Sequence, residues 1–293
     1  TTAALDYEDE TSWTVTMTCS DGTNSVNHAV VVTVGDVNEA PAITGGATAT
    51  INENVAGNTD LVTNLVCTDP EGAAGLAWSV QSTSPAVGPF QVTPTSANSG
   101  VSVTLRATGP IDHESVSSYT VTLACSDGTS TVTHDVVVTV DDVNEAPVYT
   151  GVTALTVAED QTTGDTVTGA VSATDQDGDT LTWSIVTGSM PFRVSSTTGN
   201  SITLEVDGSL DFESTASYSL TIRVTDGSLQ VDTPVTVTIT DVNEPPAINA
   251  ATLSVDENVA SGVSVGSALT DFEAEGEVVT LSIDGFAGGS AFS

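Results

Sequence analysis

The chain has 293 residues, with 39 acidic side chains against 3 basic ones and a formal net charge of −36. So large a negative excess argues against nucleic acid and anionic lipid surfaces as partners, no uncharged apolar run approaches the roughly 20 residues of a membrane-spanning helix, and no membrane contact is expected within this window. Aromatics make up 4% and no long helical periodicity is present, so the reading is all-β.

From the N-terminus, Leu5-Asp6-Tyr7-Glu8 and Cys19-Ser20-Asp21-Gly22 lead to the string Asp36-Val37-Asn38-Glu39-Ala40-Pro41. The string returns at Asp142 to Pro147 and at Asp241 to Pro246, steps of 106 and then 99 residues. Ile111-Asp112-His113-Glu114 and Leu210-Asp211-Phe212-Glu213 keep the same steps. A period of about 100 residues is the size of one β-sandwich. With the strings as joints, the chain divides into a half repeat (1–41), two complete repeats (42–147 and 148–246) and a second half repeat (247–293). A half sandwich cannot bury its own core, so the expectation is a window on a longer polypeptide or a head-to-tail fibre.

In the first complete repeat, strands are expected at 47–51, 61–67, 76–80, 90–93, 101–106, 119–125 and 132–140. Seven short strands with turns between them suit a Greek-key sandwich of immunoglobulin type. Alternation assigns Tyr119, Val121, Leu123 and Cys125 to the core, and Tyr218, Leu220, Ile222 and Val224 in the next repeat. Trp78, Trp183 and Leu281 share one slot; replacement of Trp by Leu favours a buried position over a sugar-stacking platform.

Cys19 and Cys125 occupy one position in two repeats, whereas Cys67 lies in a different strand. The counterparts of Cys67 and Cys125 in the next repeat, Ala173 and Val224, lack sulfur together. Cys67 and Cys125 each stand two residues before an aspartate, Asp69 and Asp127, so converging strands would bring both pairs together. A Cys67–Cys125 disulfide is expected, with the partner of Cys19 upstream; buried free thiols are the alternative. The disulfide would place the chain in an oxidising, extracytoplasmic compartment.

Each repeat thus combines an early Glu (Glu53, Glu159, Glu257), an Asp-x-Asp or Asp-x-Glu after the second strand, a Leu/Ile-Asp-x-Glu, a late Asp-Gly and the terminal Asp-x-Asn-Glu. In this ordered set the chain resembles the cadherin repeat over its whole length. The compact Thr174 to Ile185 stretch looks closer to cadherin-like repeats of microbial surface proteins than to animal adhesion cadherins.

The resemblance implies a rod of tandem sandwiches with calcium between consecutive repeats. For the first joint the implied ligands are Asp6, Glu8, Asp36, Asn38, Glu39, Asp69, Glu71 and Asp127. For the second they are Glu53, Asp112, Glu114, Asp142, Asn144, Glu145, Asp175, Asp177 and Asp226. For the third they are Glu159, Asp211, Glu213, Asp241, Asn243, Glu244, Asp271 and Glu273. Calcium accepts six to eight oxygens in flexible geometry, which suits clustered carboxylates. Two departures stand out: the terminal string lacks a second Asn before Ala-Pro, and Glu71 and Glu273 replace the usual Asp.

Paired carboxylates also serve glycosidases, but an active site occurs once per fold and these pairs recur in every repeat. His28 and His134 share one slot, and His113 stands where Tyr7 and Phe212 stand, so structural or surface roles are assigned and an enzyme is rejected. No Asn-x-Ser/Thr acceptor occurs; abundant Thr and Ser leave O-linked sugar open. The expectation is an extracellular, calcium-stiffened filament, fibril or adhesin stalk whose partners are neighbouring repeats or copies of the same chain. A module binding carbohydrate, a surface partner or its own copies is the alternative.

Overall fold

The computed structural model describes residues 4–86, 88–188 and 191–248, with scattered positions between 252 and 280. Two compact units divide at Val143/Asn144, inside the second Asp-Val-Asn-Glu-Ala-Pro string.

The first unit opens with a hairpin of β1 (Ser12–Ser20) and β2 (Ser25–Thr33), which pair antiparallel as a two-stranded sheet. Asp21 Oδ1 accepts the N–H groups of Thr23 and Asn24 in its turn, and Gly22 supplies the left-handed residue at φ 94°. Trp13, Val15 and Met17 of β1 are about half exposed. Their counterparts one 106-residue step later, Tyr119, Val121 and Leu123, are core, so the hairpin carries a core-type face that no second sheet covers among the described residues.

A complete sandwich follows, built from β3 (Ala42–Thr44), β4 (Thr48–Asn52), β5 (Thr59–Thr68), β6 (Leu76–Ser84), β7 (Phe90–Thr93), β8 (Ser96–Ala97), β9 (Ser102–Ala107), β10 (Ser118–Ser126) and β11 (Thr131–Asp141). One sheet has the order β4-β11-β10-β6-β8 and the other β3-β5-β9-β7. The seven expected strands are all present. The sequence reading missed β3 and β8, which are only three and two residues long, too short for a period of two to register.

The missed β3 has a topological cause. The first strand serves both sheets: Ala42–Thr44 pairs antiparallel with β5, and Thr48–Asn52 pairs parallel with β11. Gly45, between them, has φ 137°, and a Cβ there would stand 2.7 Å from the Asn64 carbonyl oxygen. Only glycine allows the strand to change sheets at that backbone distance. Gly151, one period later, is tighter still: a Cβ there would stand nearer yet to the Ser172 backbone nitrogen.

Alternation works as expected in β10, where Tyr119, Val121, Leu123 and Cys125 are buried against Leu65, Leu105, Trp78 and Val138 in one core cluster. Cys67 of β5 and Cys125 of β10 are disulfide-bonded with Cα atoms 6.6 Å apart, joining the two sheets through the core.

The second unit repeats the plan with β12 (Val148–Tyr149), β13 (Ala154–Ala158), β14 (Val171–Thr174), β15 (Thr182–Thr187), β16 (Phe192–Val194), β17 (Ser201–Ile202), β18 (Leu204–Val206), β19 (Ser217–Thr225) and β20 (Gln230–Thr240). The sheet β13-β20-β19-β15 matches its predecessor, including the parallel β13–β20 pair. Leu220, Ile222, Val224 and Trp183 are core as expected, while Tyr218 is only partly buried. After β20, β21 (Ala247–Ile248) pairs with β22 (Asp271–Phe272). Leu281 and Glu273 lie outside the described residues, as does the side chain of Asp271.

Candidate metal centre

The site is built from the parallel pairs outward. β4 runs beside β11 through Asn52↔Asp141, and the Glu53 N–H donates to the Asp141 carbonyl at 3.1 Å. This delivers the Glu53 side chain, 2% exposed, beneath two loops. Its Oε2 accepts the His113 N–H and its Oε1 the Val143 N–H, both at 2.8 Å. Glu159 does the same in the second unit, accepting from Phe212 at 2.6 Å and from Val242 at 2.7 Å. One buried carboxylate per sandwich therefore ties the Leu/Ile-Asp-x-Glu turn to the start of the following string.

Within that turn the aspartate shapes the backbone and the glutamate is presented. Asp112 accepts from the N–H and hydroxyl of Ser115, each at 3.0 Å, and Asp211 accepts the Ser214 N–H at 2.8 Å. Asp6 likewise holds the N–H groups of Glu8 and Asp9. Glu8, Glu114 and Glu213 project outward from these turns, and all three are exposed. Glu53, Glu114 and Asp142 offer oxygens within 4.8 Å of one another, as do Glu159, Asp211 and Glu213.

The first joint lies wholly within the first unit, and there the two sides meet. Glu8, Asp36 and Glu71 bring oxygens within 4.8 Å of one another. Asn38 Nδ2 donates to its neighbour's carbonyl, Glu39 O, at 2.8 Å and to Asp127 Oδ2 at 3.1 Å. The Glu39 N–H donates to Glu71 Oε1 at 2.6 Å. The second unit repeats this lock: Asn144 Nδ2 reaches Asp226 Oδ2 at 2.9 Å, and the Glu145 N–H reaches Asp177 Oδ2 at 2.9 Å. At the third string Asn243 Nδ2 again donates to Glu244 O, at 3.0 Å, and Asp241 is exposed.

At the first joint, charge is concentrated without a counter-charge among the described residues. The three arginines are engaged in the repeat bodies: Arg106 pairs with Asp60, Arg193 with Glu205 and Asp207, and Arg223 with Asp232. At the first joint, burial and the neighbouring Glu71 raise the Asp69 carboxyl above its ordinary range. Glu39 is raised by its contact with the Glu71 carboxyl, and Glu8 by desolvation and then by the charges of Asp36, Asp6 and Glu71. Glu71 is held low by the Glu39 N–H, and Asp127 by the N–H groups of Ser130 and Thr129 and then by Asn38.

The donor set fits a hard divalent cation. Asp69 Oδ2, Glu71 Oε2, Asp175 Oδ2 and Asp177 Oδ1 are buried with no hydrogen-bond donor among the described residues. A buried carboxylate oxygen without a donor is costly, and an oxygen-seeking ion such as calcium satisfies it.

Two features escaped the sequence reading. Ser99 Oγ accepts the Asp69 N–H at 2.9 Å and so fixes that ligand loop; nothing in the sequence marks a lone Ser for such a role. Asp21 caps its hairpin as Asp127 and Asp226 cap theirs, and the 106-residue step from Asp127 was the signal for it.

A cadherin domain model matches residues 153–240. Protocadherin gamma-A12 of Pan troglodytes is 31% identical over 282 residues, covering 90% of this chain and 30% of its own length. The chain thus spans about a third of that relative. Among solved structures, the protocadherin gamma-B4 extracellular domain aligns over 93% of this chain and 44% of its own, with TM-score 0.63 and 25% identity. A protocadherin gamma-B7 EC3-6 cis-dimer aligns over 93% of this chain and 69% of its own, with TM-score 0.64 and 21% identity.

Proposed function

We propose, on the premise that this chain belongs to the cadherin-like repeat family, that it is a stretch of an extracellular adhesion protein whose repeat joints are stiffened by calcium. An extracellular or cell-surface location and a non-enzymatic role accompany the family. In this proposal the chain divides into four parts, at 41, 147 and 246.

The observation that carries it is the first joint: two buried carboxylate oxygens without donors among the described residues, Asp69 Oδ2 and Glu71 Oε2, beside the Glu8–Asp36–Glu71 cluster. Glu8, Asp36, Asp69, Glu71 and Asp127 would hold the ion, which when bound supplies the positive charge that cancels their repulsion. Glu53 and Glu159 have a second task. Each buried carboxylate accepts two backbone N–H groups and so fixes the turn and string that present the exposed acids, while an oxygen of each stays within 4.8 Å of those acids. The Asn38 amide joins its string to the Asp127 hairpin, and so sets the register in which the two halves of the ligand set meet.

Partners are proposed to be neighbouring repeats and further copies of the same chain type, a homophilic contact for which the gamma-B7 cis-dimer is the precedent. Sugar stacking has little to offer in the complete sandwiches, because Trp78 and Trp183 are each only 3% exposed. Filament, fibril and stalk are alternative settings for the same rod.

Small-angle scattering of the chain in calcium and then in chelator tests this reading. A longer, stiffer particle with calcium is expected. An unchanged maximum dimension and flexibility would overturn it.

A further inference from the structure

The disulfide of the first sandwich sits directly behind the metal-facing acids of the first joint. Cys67 of β5 and Cys125 of β10 lie in opposite sheets, each almost completely buried, and are covalently joined. Asp69 follows Cys67 by two residues and Asp127 follows Cys125 by two, so each acid stands one residue past the end of its strand, about 7 Å along the chain from its cysteine.

Both intervening segments are tied down. The Asp69 N–H donates to Ser99 Oγ, and the Gly72 N–H returns to the Asp69 carbonyl at 3.0 Å. The Asp127 N–H donates to the Ser130 carbonyl, while Asp127 Oδ1 takes the N–H groups of Thr129 and Ser130, both at 2.6 Å. Neither acid can drift far from its cysteine. The only other ties across the two sheet ends described at this joint are side-chain packing and the 38–39 string, whose Asn38 amide holds Asp127 and whose Glu39 N–H holds Glu71, and none of these is covalent.

The next sandwich is a built-in control. Ala173 and Val224 occupy the cysteine positions there, both 1% exposed, ahead of Asp175 and Asp226. A corresponding ligand frame, with Glu71 in the place of Asp177, is therefore carried on one cross-linked sandwich and one unlinked sandwich in a single chain.

We infer that the Cys67–Cys125 disulfide is a positioning element for calcium at the first joint, holding Asp69 and Asp127 at ligating distance and making that joint tighter for calcium than it would be with the residues of the following repeat. This rests on the calcium reading above. Repulsion between clustered carboxylates pushes the sheet ends apart before the ion binds, and a covalent tie across the sheets removes that freedom in advance.

The test is calcium-dependent protection from a glutamyl endopeptidase, with fragments resolved by mass. Cleavage at Glu39–Ala40 reports on the first joint, and cleavage at Glu145–Ala146 on the second string. The double variant Cys67→Ala with Cys125→Val copies the residues of the following repeat. It is expected to raise the calcium concentration for half-protection at Glu39–Ala40 roughly tenfold, the low end of what losing ligand-orienting contacts costs a metal site. Protection at Glu145–Ala146 should not move. A gain-of-bridge variant, Ala173→Cys with Val224→Cys, keeps the inference testable if the first variant fails to fold; once its bridge is verified by mass, it should lower the half-protection concentration at Glu145–Ala146. Equal half-protection concentrations at Glu39–Ala40 for the wild-type chain and a folded Cys67→Ala/Cys125→Val variant would overturn the inference alone, as would a formed second bridge with no effect. No protection of the wild-type chain by calcium would overturn the calcium reading and this inference with it.

Discussion

Glu53 Oε1 accepts the N–H of Val143, 90 residues further along the chain, at 2.8 Å. This single bond joins the first strand of a sandwich to the string that leaves it. Glu159 and Val242 form its equivalent at 2.7 Å, so the relationship belongs to the repeat and not to one accident of packing.

Glu53→Ala should therefore destabilise the first unit by about 3 kcal/mol, since a buried charge-assisted acceptor and the pairing of two N–H groups are lost together. Glu53→Gln keeps one acceptor oxygen and should cost less. Chemical denaturation in excess calcium and in chelator, followed by tryptophan fluorescence, checks both; equal stability of the Ala variant and the wild type in both conditions contradicts the assignment.

Asp69→Asn should act with opposite signs in the two metal states. In chelator it removes a repulsive charge from beside Glu71 and should raise the melting temperature. In calcium it removes a ligand oxygen's charge and should shrink the calcium-induced gain. A variant that loses stability in chelator would show that Asp69 serves the fold and not an ion.

Acid should weaken calcium binding before ordinary carboxylates titrate. Asp69, through burial and then Glu71, and Glu8, through desolvation and then Asp36, have folded pKa values above their unfolded ones. Their protonated forms favour the metal-free fold at low pH, and that contribution is lost as pH rises through the raised values. Calcium needs the ionised forms, so the calcium-induced rise in melting temperature should be larger at neutral pH than at mildly acidic pH. A calcium effect independent of pH across that window would count against Asp69 and Glu8 as ligands.

Gly45→Ala should destabilise the first unit by about 2 kcal/mol or more, because the new Cβ meets backbone at Asn64 and Leu65 while φ stays positive. Gly72→Ala makes a useful comparison: its φ is also positive, at 67°, but nothing stands within 4 Å of its Cβ position. The difference between the two in denaturant midpoint isolates the strand crossing from the left-handed conformation.

Much of the fold was legible because it repeats. The 99-residue step aligned Tyr119 with Tyr218, and the shared Leu-x-Trp-Ser motif aligned Trp78 with Trp183 inside one chain, so burial at one position could be argued from chemistry at the other. The cysteine pairing was legible for the same reason, and the bonded Cys67–Cys125 pair agrees with it. The roles of individual acids were not. Asp112 and Glu114 look alike in sequence, yet the first caps its own turn on Ser115 while the second joins the Glu53 and Asp142 oxygens. Which carboxylate oxygen faces a backbone N–H and which faces other acids depends on contacts such as those of Glu53 with His113 and Val143, 60 and 90 residues away.

The amino-acid sequence by itself determined the all-β character, the tandem period, the core faces and the excess of acid at the joints, because these follow from alternation, spacing and composition. Only the tertiary structure decided that the first strand crosses between sheets at Gly45, that Glu53 and Glu159 are buried braces, and that Asp69 and Glu71 hold oxygens with no donor among the described residues. Those features depend on which distant backbone groups converge, and local sequence carries periodicity and charge but not convergence.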